Sequence, residues 1–423
     1  MATIRPFKGI RYNQPRVGDL GKVITPPYDV INPREQECLY QESPYNFIRL
    51  EYGLTYPTDN ETENRYSRAA QTFQNWLSEE ILQPENENMY YLYEQTYTCH
   101  NNHFRRRGII TALKLEPYTN KVVLPHEVTM AAPKADRLAM LRCCRTNFSP
   151  ILALFPDPEQ RAAVFFAGVT EAKPLIDILE ANGQAHRIWA ISDPALQQAL
   201  TAYLKTQPLL IADGHHRYET ALHFAQSADA ASVPGSGYVL ATLVSLNDPG
   251  LLILPTHRLL AGLSLSQKEK LMQIVKSSFN LTACGAPSGL DLDGYTAKLE
   301  KGSLKTGIIG FINNEQAYLI TPKTAPDVNT LSVSLLQDRL LTPFLENEND
   351  IAGKNTISYC HDAAEALESV ITGISDAVFI LNAIPVADTM DRALQGKIMP
   401  QKSTYFYPKL PSGLVLYHMT LSY

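Results

Sequence analysis

Apolar positions recur along this chain with two spacings, every second residue and every third or fourth, and their alternation lays out a mixed α/β protein. Ile4–Tyr12 opens as a strand region. Pro26-Pro27 then holds the loop through Tyr28 and Asp29 in extended geometry, and Asn32-Pro33-Arg34-Glu35 begins a short helix with proline at its first position. Phe47, Ile48 and Leu50 alternate with charged Arg49 and Glu51, as in a strand. Tyr66, Ala69, Ala70, Phe73, Trp76 and Leu77 mark the core face of a helix within 61–83. Met89–Thr98 and Arg105–Leu115 read as partner strands, Pro133–Arg145 as a helix and Phe148–Phe155 as a buried strand. Gln184–Ile191 (strand) and Asp193–Thr206 (helix) lead into the buried run Leu209–Ala212. After Asp213–Arg217, residues Tyr218, Ala221, Leu222 and Ala225 resume a helical period.

Gly237–Ser245 and Leu251–Pro255 read as further strands, and from about Leu259 the character changes. Leu265–Phe279, Leu331–Phe344, Ala363–Gly373 and Val386–Gly396 are helical in pattern. Gly307–Ile312 and Ala317–Thr321 form a hairpin, and Ala377–Ala383 is a buried strand. These patterns predict a first domain over 1–260 and a second over 261–423, with the tail 397–413 free to return to the first.

With 423 residues the chain is long enough for two substantial cores. A formal charge of −6 gives no general basic surface, so nucleic acid is not an expected partner. The six cysteines are scattered without zinc spacing. No run of about 20 apolar residues occurs, so neither a membrane span nor a secretory leader is expected, and the location expected is cytoplasmic. A homodimer is compatible with all of this.

The densest chemistry lies at Asp213-Gly214-His215-His216-Arg217, between a buried strand and a helix. Gly214 allows a sharp turn, and free N–H groups at the helix start favour an anion. Arg217 adds a planar fork suited to phosphate, and the two histidines add donors. Asp213 is a helix cap in one reading and a metal ligand in another. A second concentration is KIMPQKSTYFYPKLPSG, where Lys402, Ser403 and Thr404 suit a polyanion and Tyr405, Tyr407 and Lys409 follow; an edge strand accounts for the same stretch equally well. Asp29, in its proline-fixed loop, and Glu127, in His126-Glu127, are candidate bases. Arg137 and His257 are candidate phosphate contacts, with a solvated arginine and a packed histidine as the alternatives.

The corner IADGHHRYETAL resembles the signature of the ParB/sulfiredoxin-like superfamily: a strand, a Gly-[Glu/His/Cys]-[His/Arg]-Arg turn, then a helix. In that superfamily the turn and helix start hold nucleotide phosphates, and free-serine kinases share the fold. Over nearly its whole length the chain is similar to the domain of unknown function 1015 family. The stretches that carry this are IRPFKGIRY, TPPYDVI, SPYNFIRLE, HEVT, DRLAMLRCCRTNFSPI, IADGHHRYETA, PTHRLL and MPQKSTYFYPKLPSGLV. The fold implied is α/β mixed (α+β), a ParB/sulfiredoxin-like core with a large additional C-terminal α/β part.

The resemblance to the kinases implies a phosphotransferase acting on a small amino- or hydroxy-acid, running in either direction between a nucleotide or other phosphoryl donor and, for example, phosphoserine. In that scheme Arg217 and backbone N–H groups hold phosphate, and His215 or His216 steadies the transferring group. Mg²⁺ joins oxygens to Asp213 or Asp29, and Glu127 or Asp29 takes the hydroxyl proton. Two other classes fit the same residues: a non-catalytic nucleotide-binding regulator, and a metal-dependent hydrolase built on Asp213, His215 and His216.

Overall fold

The alternation in 89–115 is realised as a long hairpin, Tyr90–Cys99 with Asn102–Lys114, in which Glu94 stands opposite Arg107. Around it a nine-stranded sheet assembles in a computed structural model that describes residues 1–327, 330–345 and 356–422, with side chains for all of these except 302–306. The order across the sheet is Val123–Leu124, Leu209–Asp213, Ile151–Phe155, Tyr238–Ser245, Asn102–Lys114, Tyr90–Cys99, Ala185–Ile191, Ile176–Leu179, with Ile4–Arg5 added on Asn102–Lys114. Two pairings are parallel, Leu209–Asp213 with Val123–Leu124 and Tyr238–Ser245 with Ile151–Phe155; the others are antiparallel. The chain is therefore mixed α/β.

It divides into two compact units. The first comprises Met1–Leu252, Met390–Lys397 and Pro408–Tyr423, and the second Ile253–Thr389 and Ile398–Tyr407. The first stretch ends at Leu252 rather than at 260, and of the tail the part from Pro408 onward is laced into the first unit by backbone pairing. Ser412 bridges Thr25, Leu416 bridges Ile10, and Tyr417–His418 pairs with Thr146–Asn147. Residues far apart in sequence make those pairs, so no local pattern reveals them.

The second unit is built on a six-stranded antiparallel sheet in the order Phe279–Gly285, Ala317–Pro322, Ile309–Asn313, Ala377–Ile380, His257–Leu260, Ile357–Cys360. Strand alternation splits its core into two layers. Leu260, Phe311 and Phe379 pack with Leu271, Val275 and Leu336, while Leu259, Ile312, Val378 and Ile380 pack with Leu299, Ala366 and Val370.

Phe47–Glu51 corrects one expectation. Its alternating pattern forms a one-turn helix, Ile48–Glu51, instead of a strand. Asn46 imposes this: its side-chain oxygen accepts the Ile48 amide at 3.0 Å while its Nδ2 donates to the Lys22 carbonyl at 2.9 Å. Glu51 is thereby carried inward, at 0% exposure. The strands His257–Leu260, Phe279–Gly285 and Ile357–Cys360 and the helix Leu292–Thr306 were not resolved by periodicity, their apolar runs being short or diluted by polar residues.

Candidate functional site

Leu209–Ala212 is apolar and buried, which sets the strand deep in the sheet of the first unit. Its register against Ile151–Phe155 shifts between Ile211 and Asp213, a bulge that re-aims the carboxylate at the strand end. Gly214 follows in the left-handed region, φ +90°, and leads into the helix His215–Ala225 with no side-chain cap on its first turn. A Cβ at Gly214 would lie 3.0 Å from both Arg217 Nε and Ile151 Cγ2, so Arg217 folds back across the bare glycine.

Both oxygens of Asp213 receive cations. Arg217 Nη2 donates to Oδ2 and Lys409 Nζ to Oδ1, while Arg217 Nη1 donates to the Pro150 carbonyl. The three side chains are 14%, 11% and 15% exposed for Asp213, Arg217 and Lys409. Burial by itself would raise the Asp213 carboxyl, but the Lys409 ammonium and the Arg217 guanidinium outweigh it and hold the group well below the usual carboxylate range. Burial likewise opposes the charge on Arg217, and Asp213, then Asp29, more than restore it.

The histidines brace the corner. His126 Nδ1–H donates to the Ile211 carbonyl at 2.7 Å, which fixes that ring's proton on Nδ1. His215 Nε2 accepts the His126 amide at 3.3 Å, and the two rings pack edge to face with centroids 4.6 Å apart. Burial, and then His126, push His215 down to about 3, so its ring is neutral at neutral pH. His216 Nε2 accepts the Met130 amide at 2.9 Å. Glu127 Oε1 lies 3.6 Å from His126 Nε2 and acts electrostatically on His215.

Beside the corner, Arg137 is buried. It donates to Asp136 Oδ2 at 2.6 Å and to the carbonyl and Oε1 of Glu51 at 3.3 and 3.4 Å, and it lies 3.9 Å from the centre of the Tyr28 ring. Ser149 donates its hydroxyl to Glu51 Oε1 at 2.6 Å. Glu51, Arg137, Thr146, Ser149 and Arg217 are the charged or hydroxyl-bearing neighbours of a cavity of about 40 Å³, room for roughly three waters. Asp29 is exposed in the Tyr28 loop.

Asp29, Glu127, Arg137, Asp213, Gly214, His215, His216 and Arg217 all belong to the first unit. His257, Lys402, Ser403 and Thr404 belong to the second. There His257 Nδ1 accepts the Leu381 amide at 3.2 Å, Ser403 donates its hydroxyl to the Pro400 carbonyl, and Arg258 Nη2 donates to the Lys402 carbonyl at 3.1 Å. Within the tail it is Lys409, seven residues beyond Lys402, that reaches Asp213. Lys409 stands in that basic stretch with no local feature to single it out from Lys402. Glu51 and Ser149 carry little local signal; Glu51 is one of two charged residues that alternate with Phe47, Ile48 and Leu50, and nothing in that run marks it as the one turned inward.

These elements define a mixed α/β protein whose first unit carries a basic corner at a strand–glycine–helix junction. The chain belongs to the family described as Protein of unknown function (DUF1015), which matches it over residues 4–340. No curated protein matches it. Among solved structures it is similar to a free serine kinase in complex with AMP (14% identity, 74% of this chain and 92% of that chain, TM-score 0.40). It is also similar to a conserved hypothetical protein from Pyrococcus furiosus (14% identity, 73% and 94%, TM-score 0.39). A third is SbnI with a C-terminal truncation from Staphylococcus aureus (10% identity, 72% and 86%, TM-score 0.37). These are distant likenesses. Among the described residues no helix is long and apolar enough to cross a membrane, and no group of three or more His, Cys, Asp or Glu is placed to hold a metal ion.

Proposed function

We propose that this protein is a phosphotransferase that moves a phosphoryl group between a nucleotide, or a simpler phosphoryl donor, and a small amino- or hydroxy-acid. The phosphates lie at the Gly214–Arg217 corner. One observation carries the reading: two cations, Arg217 and Lys409, are fixed on a single carboxylate beside a helix start that no side chain caps. Asp213 serves by holding those cations in place. Phosphoryl transfer asks a protein chiefly for positioning and charge neutralisation, which preset cations and backbone N–H groups supply.

Mg²⁺ fits this scheme through other carboxylates, since the ion needs only one or two besides phosphate oxygens. Asp29, exposed and acting on Arg217, is the residue that would hold it, and it would neutralise phosphate charge. Glu127 and Asp29 are the candidates for taking the hydroxyl proton. A metal-hydrolase reading of the corner is weakened because Asp213 Oδ1 and Oδ2 and the Nε2 atoms of His215 and His216 are already engaged.

Calorimetry with pyrophosphate, ADP and ATP, with and without Mg²⁺, tests the site. Arg217→Ala and Lys409→Ala should each weaken binding by about tenfold or more, the worth of a charge-assisted contact. Equal affinities in the variants and the parent would overturn the assignment. Phosphorus NMR of the protein with ATP and a small hydroxyl-bearing acid then separates a transferase, which makes a new phosphate ester, from a regulator that only binds.

A further inference from the structure

Glu51 presents an imbalance that the corner does not use. The side chain is fully buried, and Oε1 is well served, accepting from Ser149 at 2.6 Å and Arg137 at 3.4 Å. Its Oε2 is buried without any hydrogen-bond partner. A polar atom left unpaired in an interior costs about 1–3 kcal/mol, more when it carries charge, so such a group calls for a missing partner. Glu51 borders the cavity that Arg217 and Arg137 also border, whose remaining walls include Met140, Leu141, Phe148 and Val239.

We infer that Glu51 is the recognition carboxylate for an ammonium group, so that the small substrate is an amino acid and not its hydroxy analogue; this rests on the phosphate reading of the neighbouring corner. An ammonium brings to Oε2 both a donor and a full positive charge, and a neutral hydroxyl donating to the same carboxylate lacks that Coulombic attraction. A bare amine is a poor fit, because two guanidiniums border the same cavity. A zwitterion meets both signs, turning its anionic end to arginine and its cation to Glu51. With room for roughly three waters, the cavity admits the ammonium end of such a molecule.

O-phospho-L-serine and 3-phosphoglycerate differ only in bearing an ammonium or a hydroxyl on the carbon next to the carboxylate, and calorimetry on the full-length protein compares them directly. Phosphoserine should bind about tenfold more tightly, although it is the less anionic of the two, and Glu51→Gln should bring the pair to near equality. Equal affinities in the parent protein, or a difference that survives Glu51→Gln, would overturn the inference and leave the phosphate corner standing. Binding of pyrophosphate with neither acid would overturn it too. Failure of all three ligands would remove the corner's function and this inference with it. Should Glu51→Gln unfold, the ratio measured on the parent decides alone.

Discussion

Asp213 and Gly214 act as one device at the residue scale. The carboxylate fixes the two cations, and the glycine opens the space across which one of them folds. Replacing Gly214 by alanine attacks both roles. A φ of +90° is strained for any residue with a Cβ, and the added methyl would press at 3.0 Å on Arg217 Nε and Ile151 Cγ2. The left-handed conformation alone costs about 1–2 kcal/mol, and the contact adds to it. Gly214→Ala should therefore lower the melting temperature and weaken pyrophosphate binding together, because Arg217 has to leave its place over the turn. A variant that melts early but binds at full strength would show that Arg217 does not serve the ligand.

Elements differ in how far the sequence betrays them, and the corner shows why. Leu209–Ala225 was legible because strand, turn and helix are contiguous and each carries its own local pattern. Glu51 was not, since an alternating five-residue run fits a strand or a helical turn equally, and the choice lies with Asn46 bonding to a carbonyl 24 residues away. Lys409 was half legible: its chemistry stood out, while its destination depends on pairings with Thr25, Ile10 and Thr146–Asn147. The last of those pairings is locked where the Gly235 amide donates to the Met419 carbonyl at 2.7 Å, so close that a Cβ at position 235 would sit 2.3 Å from that oxygen. Gly235→Ala should accordingly loosen the terminal segment and speed tryptic cleavage after Lys409, with weaker pyrophosphate binding as Lys409 becomes less well placed. Cleavage at the parental rate would mean that the segment is held chiefly by its other pairings.

Across the whole molecule, burial of histidines ties folding to acidity. Burial, joined by His126, lowers His215 to about 3; burial with Arg145 lowers His418 to about 4, and burial with His361 lowers His257 to about 4. The first two lie in the first unit and His257 in the second, so both cores share the liability. An unfolded histidine titrates near 6.5. Between that value and the lowered one, the unfolded chain binds the extra proton and the folded chain does not, so stability is complete above about pH 6.5 and drains away as pH falls. Each histidine contributes a slope of about 1.4 kcal/mol per pH unit in that window. Asp213 and its cations enter only later, since a lowered carboxyl begins to lose its contribution near the unfolded value of about 4. Urea denaturation should therefore give constant midpoints from pH 8 to about 6.5 and falling ones down to about 4.5. His257→Gln, which keeps an acceptor for the Leu381 amide but cannot be protonated in this range, should flatten that fall for the second unit. A fall as steep in His257→Gln as in the parent, read by a probe placed in that unit, would assign the acid sensitivity to other groups.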